Sequence, residues 1–187
     1  MNTGLGTTNT ASKLRITYGS KGSPTFYIGW RQDLSTDVFF QRISSVTPGT
    51  PTPPTPSAKT AALAVMDSFS NQIGLDTFDI AAGENSAGDK CILGVLYTTI
   101  ASKTCQFEAY DCDGSSLSKI AGGPEAVTSI TDCRFPQLFF NSTSKKFMAV
   151  MTDNANNKVV FAEFKYNSTS ASLANFSSKD LRVMPNP

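Results

Sequence analysis

Short apolar runs separated by clusters of Asn, Ser and Asp fill residues 135–168, and this pattern predicts three consecutive β-strands. Asn, Ser and Asp favour turns because their short side chains bond to the neighbouring backbone. The segment therefore predicts antiparallel hairpins, which are typical of an all-β protein. The predicted strands are 138–140, 147–151 and 159–166, with turns at 141–145 and 153–157.

The same order of elements recurs near the start of the chain. Strands are predicted there at 14–18, 25–30 and 38–43. A supersecondary unit that recurs along a chain is the sequence signature of a repeat architecture. When the two segments are aligned, the matching apolar residues are Trp30 with Met151, Phe40 with Phe161, and Ile43 with Phe164.

Two further hairpins are predicted between these segments, one joining 62–67 to 73–80 and one joining 92–97 to 105–111. Residues 117–130 come after the second of them and predict an outer strand or a short extended run. In both hairpins apolar residues take the places of Phe161 and Phe164. These residues are Leu75 and Phe78 in the first hairpin, and Phe107 and Tyr110 in the second.

Residues 47–56 are Thr-Pro-Gly-Thr-Pro-Thr-Pro-Pro-Thr-Pro. Proline lacks an amide hydrogen and fixes φ, so this run predicts an extended spacer. It divides the chain into an N-terminal β unit (1–46), a Pro/Thr-rich linker (47–57) and a main β domain with repeated hairpins (58–187). The alternative to a plain spacer is an O-glycosylated stalk, and its candidate acceptors are Thr50, Thr52 and Thr55.

The repeated order is a proline, an apolar pair, an Asn-rich turn, a strand ending in Trp or Met, an Asp-containing turn and a strand with spaced aromatic residues. This order resembles a divergent class of β-propeller-like repeats found in extracellular proteins, and the best match is 110–114 with 136–164. The resemblance implies repeated antiparallel units of three to four strands.

Two features depart from the propeller-like pattern. The proline-rich run interrupts the first and second copies, and three to four copies are few for a closed ring. An open set of units would leave strand edges that invite pairing with another chain. The same hairpins would also build a two-sheet β-sandwich. The predicted fold class is therefore all-β, with repeated antiparallel units in a propeller-like or β-sandwich arrangement.

Four cysteines, Cys91, Cys105, Cys112 and Cys133, allow three disulfide connectivities. Cys105 and Cys112 lie on one predicted strand, where a rise of about 3.3 Å per residue separates them by roughly 23 Å, beyond disulfide reach. A turn near 101–102 places Cys91 opposite Cys112. The favoured pairing is Cys91–Cys112 with Cys105–Cys133, and the alternatives are Cys91–Cys105 with Cys112–Cys133, or four free buried thiols.

The composition of the chain argues against several classes of function. The net charge of +1 provides no field that would attract nucleic acid or an anionic membrane. The absence of histidine removes the commonest general base and metal ligand, and there is no catalytic triad or phosphate-binding loop. We therefore expect neither an enzyme nor a bound cofactor. No apolar run approaches the roughly 20 residues of a membrane span.

The first residues, Met-Asn-Thr-Gly-Leu-Gly, lack the features of a signal peptide. We therefore expect either that a leader is missing from the sequence or that the chain reaches its compartment without one. Asn141, Asn167 and Asn175 begin N-glycosylation sequons. Two to three sequons arise by chance in a chain this rich in Ser and Thr, but Asn141 and Asn167 fall in predicted turns, where a glycan can be accommodated.

Three aspartates, Asp33, Asp67 and Asp153, come directly after the second strand of three copies. An aspartate in this place most often bonds to its own turn, although a ring of them could bind calcium or sugar hydroxyls. Asp111-x-Asp113-Gly114 is a fragment of a calcium loop without the later glutamate, which favours a plain turn. Glu108 is on the same strand tip and is expected to face water, so no glycosidase pair is predicted.

These observations predict a non-enzymatic structural glycoprotein located outside the cell or on its surface. We expect it to associate with itself as a subunit of a fibre or surface assembly, by strand addition at open sheet edges. One alternative is a carbohydrate-binding or adhesion module, which would bind glycans rather than only carry them. Another is a component of a virion or phage fibre.

Overall fold

The computed structural model describes eleven ranges of the chain. The described residues form strands, turns and bends without a helix, so the predicted all-β class is confirmed. Consequently, no helix that could cross a membrane is found in those ranges. The described ranges are 11–19, 25–32, 37–44, 55–56, 60–64, 78–99, 103–112, 117–120, 124–127, 129–166 and 171–180.

Fourteen strands in these ranges form three antiparallel sheets. The first sheet contains β1 (Ala11–Gly19), β2 (Thr25–Gln32), β3 (Asp37–Ser44), β4 (Thr55–Pro56) and β5 (Thr60–Ala64). The middle sheet contains β6 (Phe78–Glu84), β7 (Cys91–Thr98), β8 (Cys105–Asp111), β9 (Ser118–Lys119) and β10 (Glu125–Val127). The last sheet contains β11 (Cys133–Asn141), β12 (Lys146–Asp153), β13 (Lys158–Tyr166) and β14 (Ala171–Asp180).

All three sheets have one plan. Three strands pair in chain order, and the third strand then pairs with later strands of the same sheet: β4 and β5 on β3, β9 and β10 on β8, and β14 on β13. The strands predicted in the first and last segments are confirmed, as are those at 92–97 and 105–111. The outer strand predicted within 117–130 is confirmed as two short pieces, β9 and β10.

The predicted hairpin of 62–67 with 73–80 is wrong in its described parts. Ala64 pairs with Asp37 in the first sheet, whereas Phe78 pairs with Tyr97 in the middle sheet. The reason is burial, because β6 is buried on both sides and completes a sheet that is covered on both faces. In the same way β4, within the predicted linker, pairs with β3. The domain boundaries drawn from the sequence stay a prediction.

The middle sheet lies between the other two. Its strand β7 is buried at every position, which requires cover on both faces. Toward the last sheet, the ring of Phe107 stacks on that of Phe164 with centroids 4.4 Å apart and meets that of Phe147 at 5.3 Å. Toward the first sheet, Tyr27 packs in one cluster with Tyr110 and other buried residues of the middle sheet.

Polar contacts from β6 hold the three sheets in register. Asp79 accepts a hydrogen bond from the backbone amide of Leu138 in β11 at 2.7 Å, and its carboxylate is 3.3 Å from Nε of Arg15 in β1. The amide of Ala82 donates to the Thr17 hydroxyl at 3.0 Å. Because Asp79 is buried, these bonds also satisfy a carboxylate that would otherwise be costly to desolvate.

Close approach of the middle and last sheets depends on Gly94 in β7. A Cβ atom at this position would lie 2.8 Å from the Phe147 ring and 2.9 Å from the Phe107 ring. Both rings are fully buried and are held by their neighbours. A side chain at Gly94 would therefore force the two sheets apart or move the rings off their rotamers.

We expect Gly94→Ala to lower the free energy of unfolding by about 1–3 kcal/mol, the usual cost of overpacking a core. Guanidinium denaturation monitored by tryptophan fluorescence measures this change. Lys165→Ala, at an exposed position of β13, is the matched control and should change stability by less than about 0.5 kcal/mol. Equal midpoints for the two variants would show that the sheets are not packed this closely.

Candidate functional site

The outer face of the first sheet carries an exposed apolar patch, which we call the first outer face. It consists of Leu14, Ile16, Tyr18 and Phe26, whose exposed fractions are 56%, 59%, 48% and 37%. Alternation along β1 places the first three on the side opposite Thr17, which bonds to β6. Phe26 pairs with Tyr18 across the strands, and their ring centroids are 5.3 Å apart.

The outer face of the last sheet carries a second apolar patch, the last outer face. It consists of Phe139, Met148, Val150 and Phe161, which form two cross-strand pairs, Phe139 with Met148 and Val150 with Phe161. Phe139 is 50% exposed and Phe161 is 38% exposed, while the other two are half-buried. Their neighbours along β12 point to the middle sheet.

The last outer face carries one ion pair and one further cation, Lys165, which is exposed two residues after Glu163 on β13. Nζ of Lys146 is 2.7 Å from the carboxylate of Glu163, and both alternate with residues that face the core. Exposed large apolar side chains are common singly, but contiguous patches mark sites of interaction. The two outer faces are therefore the best candidates for a functional surface.

A buried polar cluster lies between the first and middle sheets. Glu108 is 2% exposed and accepts hydrogen bonds from Tyr97 at 3.2 Å, Tyr110 at 3.1 Å and the Lys119 ammonium at 2.9 Å. Burial, and after it the negative charge of Glu108, raises the pKa of both tyrosines, so they remain protonated donors. The expectation that Glu108 faces water is wrong, because three donors compensate its burial.

Asp153 is a predicted candidate ligand for calcium or sugar, and its carboxylate is buried between its own turn and residues 131–132. One oxygen accepts from the Thr131 hydroxyl at 3.4 Å and the Asp132 amide at 3.3 Å, and the other accepts from the Asn156 side chain at 2.6 Å. This is the ordinary structural role of an aspartate at a strand end. The other candidates, Asp33 and Asp67, lie outside the described residues.

The neighbouring Asp132 strengthens the same turn. Its partial burial opposes ionisation, but hydrogen bonds from Arg134 and Asn154 and the charge of Arg134 outweigh this effect, so the pKa of Asp132 lies below its ordinary value. Arg134 binds both carboxylate oxygens, at 2.8 and 3.0 Å. In the part of the chain that the structure describes, no three acidic or thiol side chains come together as a metal site.

The first predicted sequon lies at an exposed hairpin tip. Asn141 ends β11, and its side-chain oxygen accepts from the amides of Thr143 at 3.0 Å and Ser144 at 3.1 Å. This leaves the side-chain nitrogen of Asn141 without a hydrogen bond to any described residue. Lys145 fixes the tip by an ion pair of 2.6 Å with Glu84.

The other predicted modification sites are less well described. Asn175 lies within β14, opposite Glu163, and Thr55 lies in β4, opposite Ser44. Nothing further is described of their side chains. Asn167, Thr50 and Thr52 lie outside the described residues.

The predicted Cys91–Cys112 disulfide is confirmed, with the two Cα atoms 5.2 Å apart. The amide of Cys112 also donates to the carbonyl of Cys91 at 3.2 Å, as expected for opposite positions of a hairpin. This bond rules out the alternative pairing of Cys91 with Cys105 and Cys112 with Cys133.

The second predicted bridge, Cys105–Cys133, is not formed, because both residues are free buried thiols. The amide of Cys133 donates to the Lys103 carbonyl at 2.9 Å, which brings the two side chains together. Burial and the hydrogen bond with Cys133 raise the pKa of the Cys105 thiol. Protonated thiols pack well in the apolar core between the middle and last sheets, which explains how the pair is accommodated without a bond.

Comparisons of the chain with protein-family models and with curated proteins find no match. The propeller-like resemblance thus stays a prediction. The function of the chain is therefore inferred from the chemistry of its described surfaces.

We expect that the protein, unfolded without reductant, reacts with an alkylating agent at two cysteines, Cys105 and Cys133. The folded protein should react at neither, because both are buried and a protonated thiol is a poor nucleophile. Peptide mapping identifies the labelled positions. Two labelled cysteines are the expected result, and protection of all four in the unfolded chain would show that the second bridge forms.

Proposed function

We propose that this chain is a non-enzymatic structural subunit that associates with further copies of itself outside the cell or on its surface. The observation that carries the proposal is the exposure of large apolar side chains on both the first and the last outer face. A monomer that kept these faces in water would lose the favourable burial of each side chain. Association is the simplest way to recover it.

The free energy available from burying apolar side chains supports association. Burying one Leu, Ile or Phe side chain contributes about 1.5–3 kcal/mol. A contact between two outer faces would bury eight apolar side chains, but each is already partly buried, so each would gain only about half of this amount. This gain is comparable with the cost of about 4–15 kcal/mol for lost translational and rotational freedom. A modest affinity per contact is therefore expected, which suits an assembly built from many repeated contacts.

Two features support an extracellular location. The Cys91–Cys112 disulfide is compatible with an oxidising compartment, where such bonds persist. Asn141 is exposed at a hairpin tip, where an attached glycan would not disturb the sheets. We therefore propose that the subunit carries a glycan at this position.

The alternative functions receive less support from the described contacts. A carbohydrate-binding module built on Asp153 would need a carboxylate that is free to bind, and that of Asp153 is engaged in its turn. A virion or phage fibre component would use the same outer faces but would carry no glycan. The presence of a glycan therefore separates that alternative from the extracellular subunit.

We expect the purified protein to associate in a concentration-dependent manner, measured by sedimentation velocity. Ile16→Lys and Phe161→Lys should each raise the dissociation constant by about ten-fold or more, because lysine in an apolar contact must be desolvated. Ser144→Lys, at the exposed hairpin tip, adds the same charge away from both faces and should associate like the wild type. A wild-type chain that stays monomeric at every concentration would contradict the proposal.

We expect glycopeptide mapping of native material to find a sugar on Asn141, with an intact mass above the 20.0 kDa of the polypeptide. Asn141→Gln should remove that sugar and leave the sedimentation behaviour of the protein unchanged. A bare polypeptide mass would contradict the glycoprotein part of the proposal and would favour the virion or phage alternative.

A further inference from the structure

We infer that Cys105 and Cys133 are a site of oxidative modification, at which a second disulfide closes in the folded protein when it meets a small disulfide oxidant such as oxidised glutathione. The bridge would join β8 of the middle sheet to β11 of the last sheet. The inference concerns the inside of one chain and does not rest on self-association. Its basis is the placement of two free thiols at adjoining strand ends.

The backbone holds the two cysteines beside each other. The amide of Cys133 donates to the Lys103 carbonyl at 2.9 Å, and the carbonyl of Cys133 accepts from the Thr98 hydroxyl at 3.4 Å. Thr98 is the cross-strand partner of Cys105, and Lys103 comes two residues before Cys105. The two side chains lie in one core cluster and share a hydrogen bond. A local movement, rather than a rearrangement of the sheets, therefore brings the sulfur atoms to bonding distance.

The pair lies at a place where the core can open locally. Cys105 is the first residue of β8 and Cys133 is the first residue of β11. Two residues before each cysteine the chain is exposed, at Lys103 and at Thr131. Strand ends open at a lower free energy than the core of a sheet. Opening at this end would give an oxidant access to the thiols while the aromatic contacts of Phe107, further along β8, stay in place.

The chemistry is thiol–disulfide exchange. While the site is closed, both thiols are buried and protonated, and a protonated thiol is a poor nucleophile. When it opens, one thiol gives its proton to water, and the thiolate attacks a sulfur of oxidised glutathione. The S–S bond of the oxidant breaks, and one glutathione leaves as a thiolate that takes up a proton.

The second cysteine completes the exchange. Its thiolate attacks the protein sulfur of the mixed disulfide and displaces the second glutathione. In total two protein thiols are oxidised to one disulfide, and one glutathione disulfide is reduced to two glutathione thiols.

This bridge would have a different effect from the existing one. Cys91–Cys112 links the first residue of β7 to the residue after β8, so it acts within the middle sheet. Cys105–Cys133 would instead link the middle sheet to the last. It would also close a loop of residues 105–133 and so reduce the conformational freedom of the unfolded chain. Oxidation would therefore lock the joint between these two sheets.

The test treats the purified, folded protein with oxidised glutathione in the absence of denaturant. Alkylation of samples unfolded at successive times counts the remaining thiols, and peptide mapping without reductant identifies the bridge. We expect both thiols to be lost together and a Cys105–Cys133 cross-linked peptide to appear. In guanidinium denaturation, the unfolding equilibrium constant of the oxidised protein should be about 100-fold lower than that of the untreated protein.

Variants with one thiol provide the controls. Cys133→Ala and Cys105→Ala each keep a single partner, so no bridge can close and neither should gain stability from the oxidant. The double variant, Cys105→Ala with Cys133→Ala, reports any effect of glutathione on the Cys91–Cys112 bond. The main comparison is between treated and untreated wild type, so it does not depend on the folding of any variant.

A Cys105–Cys133 bridge that forms in the folded protein supports the inference. Two thiols that can still be alkylated after the treatment would overturn it, as would a bridge that forms only in unfolded protein or one that pairs other cysteines. A Cys105–Cys133 bridge without a gain in stability would overturn its role as a lock between the sheets. Self-association is measured separately by sedimentation, so failure of one proposal does not imply failure of the other.

Discussion

The structure depends on the need to cover both faces of the middle sheet. Leu93 and Leu96 point to opposite sides of β7, and both are fully buried. A sheet that is apolar on both sides is stable only as the centre of a stack. The first and last sheets provide that cover. The last sheet can approach closely because Gly94 has no side chain. The contacts of Asp79 then fix the position of each layer.

Burial on both faces explains why the polar groups of the core are so thoroughly paired. Glu108 lies where an unpaired carboxylate would cost several kcal/mol, and two tyrosines and a lysine offset this cost. The Cys91–Cys112 disulfide links the first residue of β7 to the residue that follows β8. The middle sheet is thus buried along β7 on both faces and is also cross-linked by a disulfide.

Most strands could be predicted from sequence because alternation and turn residues are local properties. The Cys91–Cys112 bond could be predicted from spacing for the same reason. Partner choice is not local: the runs at 62–67 and 73–80 look like one hairpin, yet their described parts join different sheets. Whether the Glu108 side chain is buried, and whether Cys105 remains a free thiol, depend on which sheets cover the middle sheet. The exposed outer faces could not be predicted from the sequence. Phe161 and Phe107 occupy matching positions of the aligned segments, and only their burial in the structure differs.

The hairpin tip at Asn141 has a geometric consequence. Strand ends point along the plane of a sheet, whereas the three sheets stack perpendicular to that plane. The Lys145–Glu84 ion pair ties this tip to β6, and a sugar chain on Asn141 would therefore extend sideways from the stack. It would shield the flanks of a growing assembly from lateral aggregation while the two apolar ends stayed accessible. Modification at this tip would thus favour growth in one dimension over growth in two or three.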